Sequence, residues 1–186
     1  RARPFPIEAT TWLLSPGNLR LFNSVYHKWQ GRKGSFVTPL RTFFHPLDAI
    51  RNWNRMYGKP GFVQYQFVVP FESGREAVTE AISRLNAAQA SSFLAVLKKM
   101  GASDGGPLSF PMPGYTLALD IPLREGVIDL LHTLDALVAD HGGRVYLAKD
   151  SALRPDTFRR MYPEWETFMN HKRQVDPDGR WQSDLA

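Results

Sequence analysis

Hydrophobic and polar positions alternate with a period of two in "GFVQYQFVVP", at residues 61–70. Side chains point to opposite faces along a β-strand, so this stretch predicts a strand with two different faces. One face is wholly apolar and suits a core: Val63, Tyr65, Phe67 and Val69. Gln64 and Gln66 lie on the other face, between Phe62 and Val68. That face is therefore either solvated or covered by something else, and its two flanking apolar residues favour coverage.

From residue 71 the pattern predicts a helix, two strands, a second helix and a last strand. In the first helix, "SGREAVTEAISRLNAA", Ser73 and Glu76 have the spacing of a capping box. The three further strands are "SSFLAVLKKM", "YTLALDI" and "GRVYLAKD", and the second helix is "EGVIDLLHTLDALVADHGG". The order β-α-β-β-α-β is ferredoxin-like. We therefore predict an α+β fold, in which both helices cover one face of an antiparallel sheet.

Helical patterns also flank this core. "SPGNLRLFNSVYHKW" predicts a helix that Ser15 caps and Pro16 begins, and "HPLDAIRNWNRMYG" predicts a second, shorter one. After the core, Pro155 and Pro163 each predict the start of a short helix, and "DPDG" predicts a turn. We thus divide the chain into an N-terminal helical part (1–60), a ferredoxin-like core (61–150) and a C-terminal segment that packs on a neighbour (151–186).

Composition narrows the function classes. The net charge is +5 and the pI about 9.6, which leaves an anionic partner open. The 186 residues contain no cysteine, so disulfides and thiolate chemistry are excluded. No apolar run has the length of about 18 residues that spans a membrane. Because the first residue is Arg1 rather than Met, we expect a piece of a longer protein.

Candidate chemistry concentrates on the strands. None of the five histidines has a metal-ligand spacing, so no metal site is predicted. Lys98 ends an apolar face of the second strand, and Lys149 ends the fourth. In a ferredoxin-like sheet the fourth strand runs antiparallel beside the first, which brings Lys149 near Gln64. One cation and the two amides of Gln64 and Gln66 would then share one patch.

Four longer blocks of the sequence stand out: "HPLDAIRNWNRMYGKPGFVQYQFVVP", "PLSFPMPGYTLALDIPL", "GGRVYLAKDSALRPDTFRRMYP" and "KRQVDPDGRWQSDLA". Together they resemble FAD-linked oxidases of the vanillyl-alcohol oxidase superfamily. The similarity covers most of the substrate (cap) domain of such an enzyme and the start of its returning C-terminal segment. It implies FAD as cofactor, bound mainly by an N-terminal domain outside these 186 residues, so the chain alone should be inactive. It also implies a location in the cytoplasm or at the bacterial membrane.

The resemblance assigns roles by position. It implies that Gln64, Gln66 and Lys98 line the substrate pocket, and that Tyr146 and Lys149 lie near the flavin. Lys149 would be the catalytic or flavin-polarising lysine. Three further pocket positions differ from the family's residues, which leaves the exact substrate open: Phe44, Thr116 and Ala118.

The implied reaction is oxidation of a secondary alcohol by hydride transfer to flavin. The substrate would be a sugar, a polyprenyl-phosphate sugar or an aldonolactone. Implied partners are the FAD-binding domain of the same chain and an epimerase or reductase that acts on the keto product. Association with a membrane surface stays open. So does self-association of the chain alone, through an apolar patch at Phe62 and Val68.

Two other functions compete with this one. A basic ferredoxin-like domain can bind nucleic acid, but that use needs aromatic residues on the open face of its first and third strands. Here that face of the first strand carries Gln64 and Gln66, so no nucleic-acid partner is expected. The third possibility is a docking domain without chemistry, for which replacing Lys149 would leave activity intact.

Overall fold

The structure is a computed structural model that describes residues 3–4, 15–44, 50–90, 92, 94–102 and 105–182. The chain divides into two compact units, residues 1–62 and 63–186. Each unit is built from its own elements and is described by itself.

The first unit contains two helices and a short parallel strand pair. Strand β1 (Arg3–Pro4) pairs with β2 (Ile50–Arg51), and the helices are α1 (Pro16–Gly31) and α2 (Leu40–Phe44). The predicted start of α1 is confirmed, because the Ser15 side chain accepts a hydrogen bond from the Asn18 N–H and Pro16 lies in the first turn.

The helix predicted over residues 45–58 is wrong in its described part. Ile50 pairs in β2, and only Trp53–Tyr57 winds, as a single 3₁₀ turn. Asn52 has a left-handed backbone (φ 57°), which separates the strand from the turn and prevents a continuous helix. The turn brings the Tyr57 ring to 4.4 Å from that of Phe62. Pro46 lies outside the described residues.

The second unit is a four-stranded sheet. Its strands lie in the order β4 (Ala95–Met100), β5 (Gly114–Pro122), β3 (Phe62–Pro70) and β6 (Arg144–Val145), with residue 62 of β3 assigned to the first unit. Pairs β4–β5 and β3–β6 are antiparallel. Strands β3 and β5 are antiparallel too, because Gln64 contacts Asp120 whereas Gln66, further along β3, contacts the earlier Thr116 of β5. The predicted α+β class is confirmed.

Helices α3 (Phe71–Ala87) and α4 (Val127–Asp140) cover one face of this sheet. The face is the predicted apolar one, since Tyr65, Phe67 and Val69 belong to the buried core. Within that core the Tyr65 hydroxyl donates to Asp135 Oδ1 of α4 at 2.9 Å. The other face of β3 therefore points away from both helices.

The predicted capping box at Ser73 is wrong. Helix α3 begins at Phe71, directly after Pro70, so Ser73 already lies within the helix. Its hydroxyl donates instead to the carbonyl oxygen of His141 at 3.0 Å, which ties α3 to the end of α4. The Ser73 hydroxyl, which the local spacing predicted to cap α3, thus forms a tertiary hydrogen bond instead.

The predicted fourth strand ends early, and Lys149 does not belong to it. Ladder bonding to β3 stops at the Tyr146 N–H, which donates to the Gln66 carbonyl at 2.8 Å. Residues Leu147–Lys149 then form a 3₁₀ turn. Asp150 fixes the exit, because its Oδ1 accepts the N–H groups of Ala152 and Leu153.

The C-terminal segment is part of the second unit and forms two helices. They are α5 (Pro155–Met161), which begins at the predicted proline, and α6 (Trp165–Val175). Tyr162 is fully buried and donates its hydroxyl to the Val145 carbonyl at 2.6 Å. The turn at "DPDG" is confirmed, since the Gly179 N–H donates to the Asp176 carbonyl. Across the described residues, no helix is long and apolar enough to cross a membrane.

Candidate functional site

The side of the sheet opposite α3 and α4 carries an unusual concentration of polar side chains. We call it the polar face and define it by these residues: Gln64, Gln66, Lys98, Thr116, Ala118 and Asp120. At its centre Gln66 Nε2 donates to Thr116 Oγ1 at 3.0 Å, and both residues are buried. The amide of Gln66 thus has a partner within the sheet, on β5, which fixes its orientation.

Gln64 has a charged partner on the same strand β5. Its Nε2 donates to Asp120 Oδ1 at 3.0 Å. Asp120 is only 3% exposed, and its Oδ2 has no hydrogen-bond partner among the described residues. Burial raises the pKa of the Asp120 carboxyl, while the hydrogen bond from Gln64 and the charge of Lys149 act in the opposite direction. A buried carboxylate with one unused oxygen is a feature that calls for a partner.

Sequence reasoning missed Asp120. The signal was available, because Asp120 is the one charged residue of a largely apolar strand, in step with Thr116 and Ala118. Strands alternate faces with a period of two, so this spacing alone places all three on the side that carries the glutamines.

Lys98 lies on the polar face, at the level of Gln66. It is exposed and pairs in register with Thr116, and cross-strand neighbours in a sheet point to the same side. The neighbouring pair in the same register is Val96 with Ala118. One row across the sheet therefore reads Lys98, Thr116 and Gln66, and it continues to Tyr146 through the bond to the Gln66 carbonyl.

The loop between β4 and β5 lies over one end of the polar face. The ring of Phe110 packs on that of Tyr146, with their centroids 4.7 Å apart, and Arg144 Nη1 donates to the Ser109 carbonyl at 2.8 Å. Val68, at this end, is fully buried. The prediction of an exposed apolar patch at Phe62 and Val68 is therefore wrong, since Phe62 is itself half-buried.

Lys149 approaches from the far edge of the sheet. It is half-buried on the 3₁₀ turn, and its charge lowers the pKa of Asp120, to which Gln64 donates. A turn rather than a strand end positions the lysine. The shared patch of Lys149 with Gln64 and Gln66 stays a prediction.

Similarity to known proteins assigns the chain to a family. The model of the D-arabinono-1,4-lactone oxidase family matches residues 59–186. Decaprenylphosphoryl-β-D-ribose oxidase of Mycolicibacterium smegmatis is 42% identical over 171 residues, which is 89% of this chain and 36% of that protein.

The chain belongs to the D-arabinono-1,4-lactone oxidase family.

More distant relatives agree with this assignment. L-gulono-1,4-lactone dehydrogenase of Mycobacterium tuberculosis is 23% identical over 130 residues, 69% of this chain and 30% of that protein. An uncharacterized protein of Streptomyces coelicolor is 45% identical over 92 residues, 49% of this chain and 25% of that protein. The predicted resemblance to FAD-linked sugar oxidases is confirmed at the level of the family. The chain spans about a third of the length of the curated relatives it matches.

The family match starts at residue 59, so it contains every residue of the polar face together with Tyr146 and Lys149. Phe44, the remaining predicted pocket residue, ends α2 in the first unit and is 63% exposed. Its pocket role stays a prediction.

The side chains of the polar face fit a polar cofactor and an oxygen-rich substrate. Both amides donate to partners within the sheet, which leaves their carbonyl oxygens to accept from ligand hydroxyls. Lys98 and Lys149 supply positive charge, and the Oδ2 atom of Asp120 is free to accept a hydrogen bond from a ligand. Such a donor set suits the FAD that the family implies. Among the described residues, no group of acidic or histidine side chains could hold a metal ion.

Proposed function

We propose that this chain is the substrate-binding portion of an FAD-dependent oxidoreductase that oxidises a secondary alcohol of a sugar-type substrate. The observation that carries the proposal is the hydrogen bond from Gln64 to the buried Asp120, whose pKa the charge of Lys149 lowers, on a sheet face that the family match includes. FAD, when bound, would accept the hydride from the alcohol carbon, and the hydroxyl proton would pass to solvent, which leaves the ketone.

In this proposal Lys149 is the catalytic residue. Its positive charge, fixed beside the cofactor, would stabilise the negative charge that the flavin gains when it takes up the hydride. The Asp150 side chain holds the two N–H groups that follow the turn, so the backbone that carries Lys149 is pre-set. Tyr146, packed on Phe110, would form the adjoining wall for the cofactor.

Gln64 and Gln66 would bind the sugar. Their amides are oriented by Asp120 and Thr116, so each presents an oxygen to a hydroxyl donor. Lys98, exposed at the end of the same row, would pair with an anionic group of the substrate. The half-buried Ala118 would leave room for the sugar ring.

A specific observation favours a polyprenyl-phosphate sugar over a free aldonolactone. Beside the turn of Lys149 lies an apolar cleft of about 640 Å³. It is lined mainly by Leu108, Leu147, Ala148, Leu153, Phe158, Trp165, Phe168 and Met169. Leu147 and Ala148 belong to the turn that carries Lys149, so a lipid chain in this cleft would begin next to the site. A lactone has no apolar chain to place there.

The remaining roles follow from the partial length. We propose that residues 151–186 return toward an FAD-binding domain of the same natural protein, and that the 186 residues alone bind no flavin and have no activity. The keto product would pass to a reductase or epimerase. A nucleic-acid function is disfavoured, since the polar face presents amides and Thr116 rather than aromatic rings on β3 and β5.

The test compares substrates on the whole natural protein. Anaerobic bleaching of its flavin absorbance is followed with a short prenylphosphoryl ribose, with D-arabinono-1,4-lactone and with L-gulono-1,4-lactone. We expect flavin reduction by the prenylphosphoryl sugar, and we expect Phe168→Asp to raise its KM without changing that of a lactone. A natural protein without flavin, or one that none of these compounds reduces, would contradict the proposal.

A further inference from the structure

Helix α1 is almost entirely exposed to solvent. Of its described side chains only Leu19, at its N-terminal end, is buried, and residues 20–29 are all exposed. An isolated helix of this length is marginal in water, because most helical stability in proteins comes from packing an apolar face. A surface that covers α1 is therefore expected.

The exposed apolar residues of α1 form one stripe. Leu21, Phe22, Val25, Tyr26 and Trp29 recur at helical spacing and are 49–66% exposed. The stripe is continued along the chain by other exposed apolar residues: Phe36, Val37, Leu40, Phe43 and Phe44. Residues 15–44 thus hold ten of the eighteen large hydrophobic residues that are exposed in the described chain, which is a concentration rather than a scatter.

The same segment is purely basic. Between Glu8 and Asp48 the sequence has no acidic residue, and it has five basic ones: Arg20, Lys28, Arg32, Lys33 and Arg41. These five charges equal the net charge of the whole chain, +5. Lys33 lies over the ring of Trp29, 3.4 Å from its centroid, so cation and aromatic stripe adjoin.

We propose that residues 15–44 form a docking surface for an anionic lipid bilayer. A helix with an aromatic and aliphatic face and basic residues, without acidic ones, lies in the membrane interface, where apolar burial and attraction to anionic lipids add. Trp and Tyr prefer the headgroup level, which suits Tyr26 and Trp29 on the stripe. The surface would hold the enzyme at the membrane that contains a lipid-linked substrate, a role that rests on the proposed function.

Other occupants fit these residues less well. A single-stranded nucleic acid would stack on aromatic rings, but the aliphatic Leu21, Val25, Val37 and Leu40 give it nothing to stack on. Contact with the rest of the natural protein would resemble a protein–protein interface, and such interfaces are depleted in lysine. The Lys28 and Lys33 charges beside the stripe match a bilayer surface better.

The test is sedimentation of the whole natural protein with vesicles. One set is phosphatidylcholine alone, and the other is phosphatidylcholine mixed equally with phosphatidylglycerol. We expect binding to the anionic vesicles only, weakened by salt. In the triple variant Lys28→Glu, Arg32→Glu and Lys33→Glu the affinity should fall roughly 100-fold or more, because each of the three lost basic residues contributes a factor of about five.

The matched control reverses three exposed charges of the second unit, Arg75→Glu, Arg159→Glu and Arg173→Glu. Its affinity for the anionic vesicles should fall much less. A Phe22→Ser, Trp29→Ser variant should also lose binding while it keeps its flavin. Absence of vesicle binding by the natural protein overturns the proposal, as does equal weakening by both charge sets. Loss of flavin in the serine variant overturns it too, because the stripe would then be covered by the rest of the protein. Oxidase activity toward a soluble substrate is measured beside it, so this outcome is separate from that of the proposed function.

Discussion

Replacing Asp135 by asparagine should make the second unit less sensitive to pH. Asp135 is 2% exposed in the core, where its carboxylate accepts the Tyr65 hydroxyl at 2.9 Å. Burial raises the pKa of Asp135 from 3.8 to about 6, the bond from Tyr65 opposes this rise, and the negative charge of Asp150 adds to it. The folded chain therefore holds this proton up to a higher pH than the unfolded chain does.

The sign and size follow from proton linkage. Between about pH 4 and pH 6 the folded state binds more protons than the unfolded state, so stability falls as pH rises through this window. The rise in pKa corresponds to about 3 kcal/mol of stability at most, which is lost above pH 6. The asparagine side chain of the variant would carry no charge and would still accept from Tyr65, at a loss of about 1 kcal/mol in hydrogen-bond strength. The variant should then be about 2 kcal/mol more stable than the parent above pH 7 and no more stable near pH 4.

Urea unfolding of the 186-residue chain and its Asp135→Asn variant, at a series of pH values, measures this difference. Asp120, whose pKa is also raised, is present in both proteins and cancels in the comparison. A difference in unfolding free energy that stays constant from pH 4 to pH 8 would refute the reasoning. A Tyr65→Phe variant, which leaves Asp135 without its donor, should enlarge the pH dependence.

The remaining predictions concern the sheet and the site. Gly114→Ala should destabilise the chain by about 3 kcal/mol or more, because a Cβ there would meet the backbone carbonyl of Val69, whereas Gly17→Ala, in open space on α1, should not; urea unfolding of both variants checks this. Gln66→Ala in the natural protein should raise KM about tenfold or less with little change in kcat, since one neutral hydrogen bond contributes about 0.5–1.5 kcal/mol; equal loss in kcat would assign Gln66 to the chemistry instead. The isolated 186-residue chain should be colourless after purification, and a flavin spectrum in it would show that the cofactor needs no further domain.

Sequence patterns predicted the elements whose determinants are local. The Ser15 cap, the start of α5 at Pro155 and the alternation of Tyr65 and Phe67 with the two glutamines depend on neighbours a few residues apart. The open side of the sheet followed from the same period of two.

Features decided by distant partners were missed. Ser73 donates to a carbonyl 68 residues away, so its local capping spacing was misleading. The 3₁₀ turn of Lys149 depends on where the ladder to Gln66 ends, and no local signal marks that point. Asp120 was overlooked although its position on β5 marked it, and what the sequence did not give is its partner Gln64, 56 residues earlier.

Lys149→Ala tests the central claim most directly. Anaerobic stopped-flow absorbance of the natural protein gives the rate at which substrate reduces the flavin, with Lys99→Ala as control, since Lys99 lies on the other side of β4. We expect this rate to fall roughly 100- to 1000-fold in Lys149→Ala, which corresponds to about 2.7–4 kcal/mol of transition-state stabilisation. Lys149→Arg should recover little of it, and Lys99→Ala should keep the parent rate. Reduction at the parent rate in Lys149→Ala would contradict the claim and leave this lysine as a structural residue of the turn.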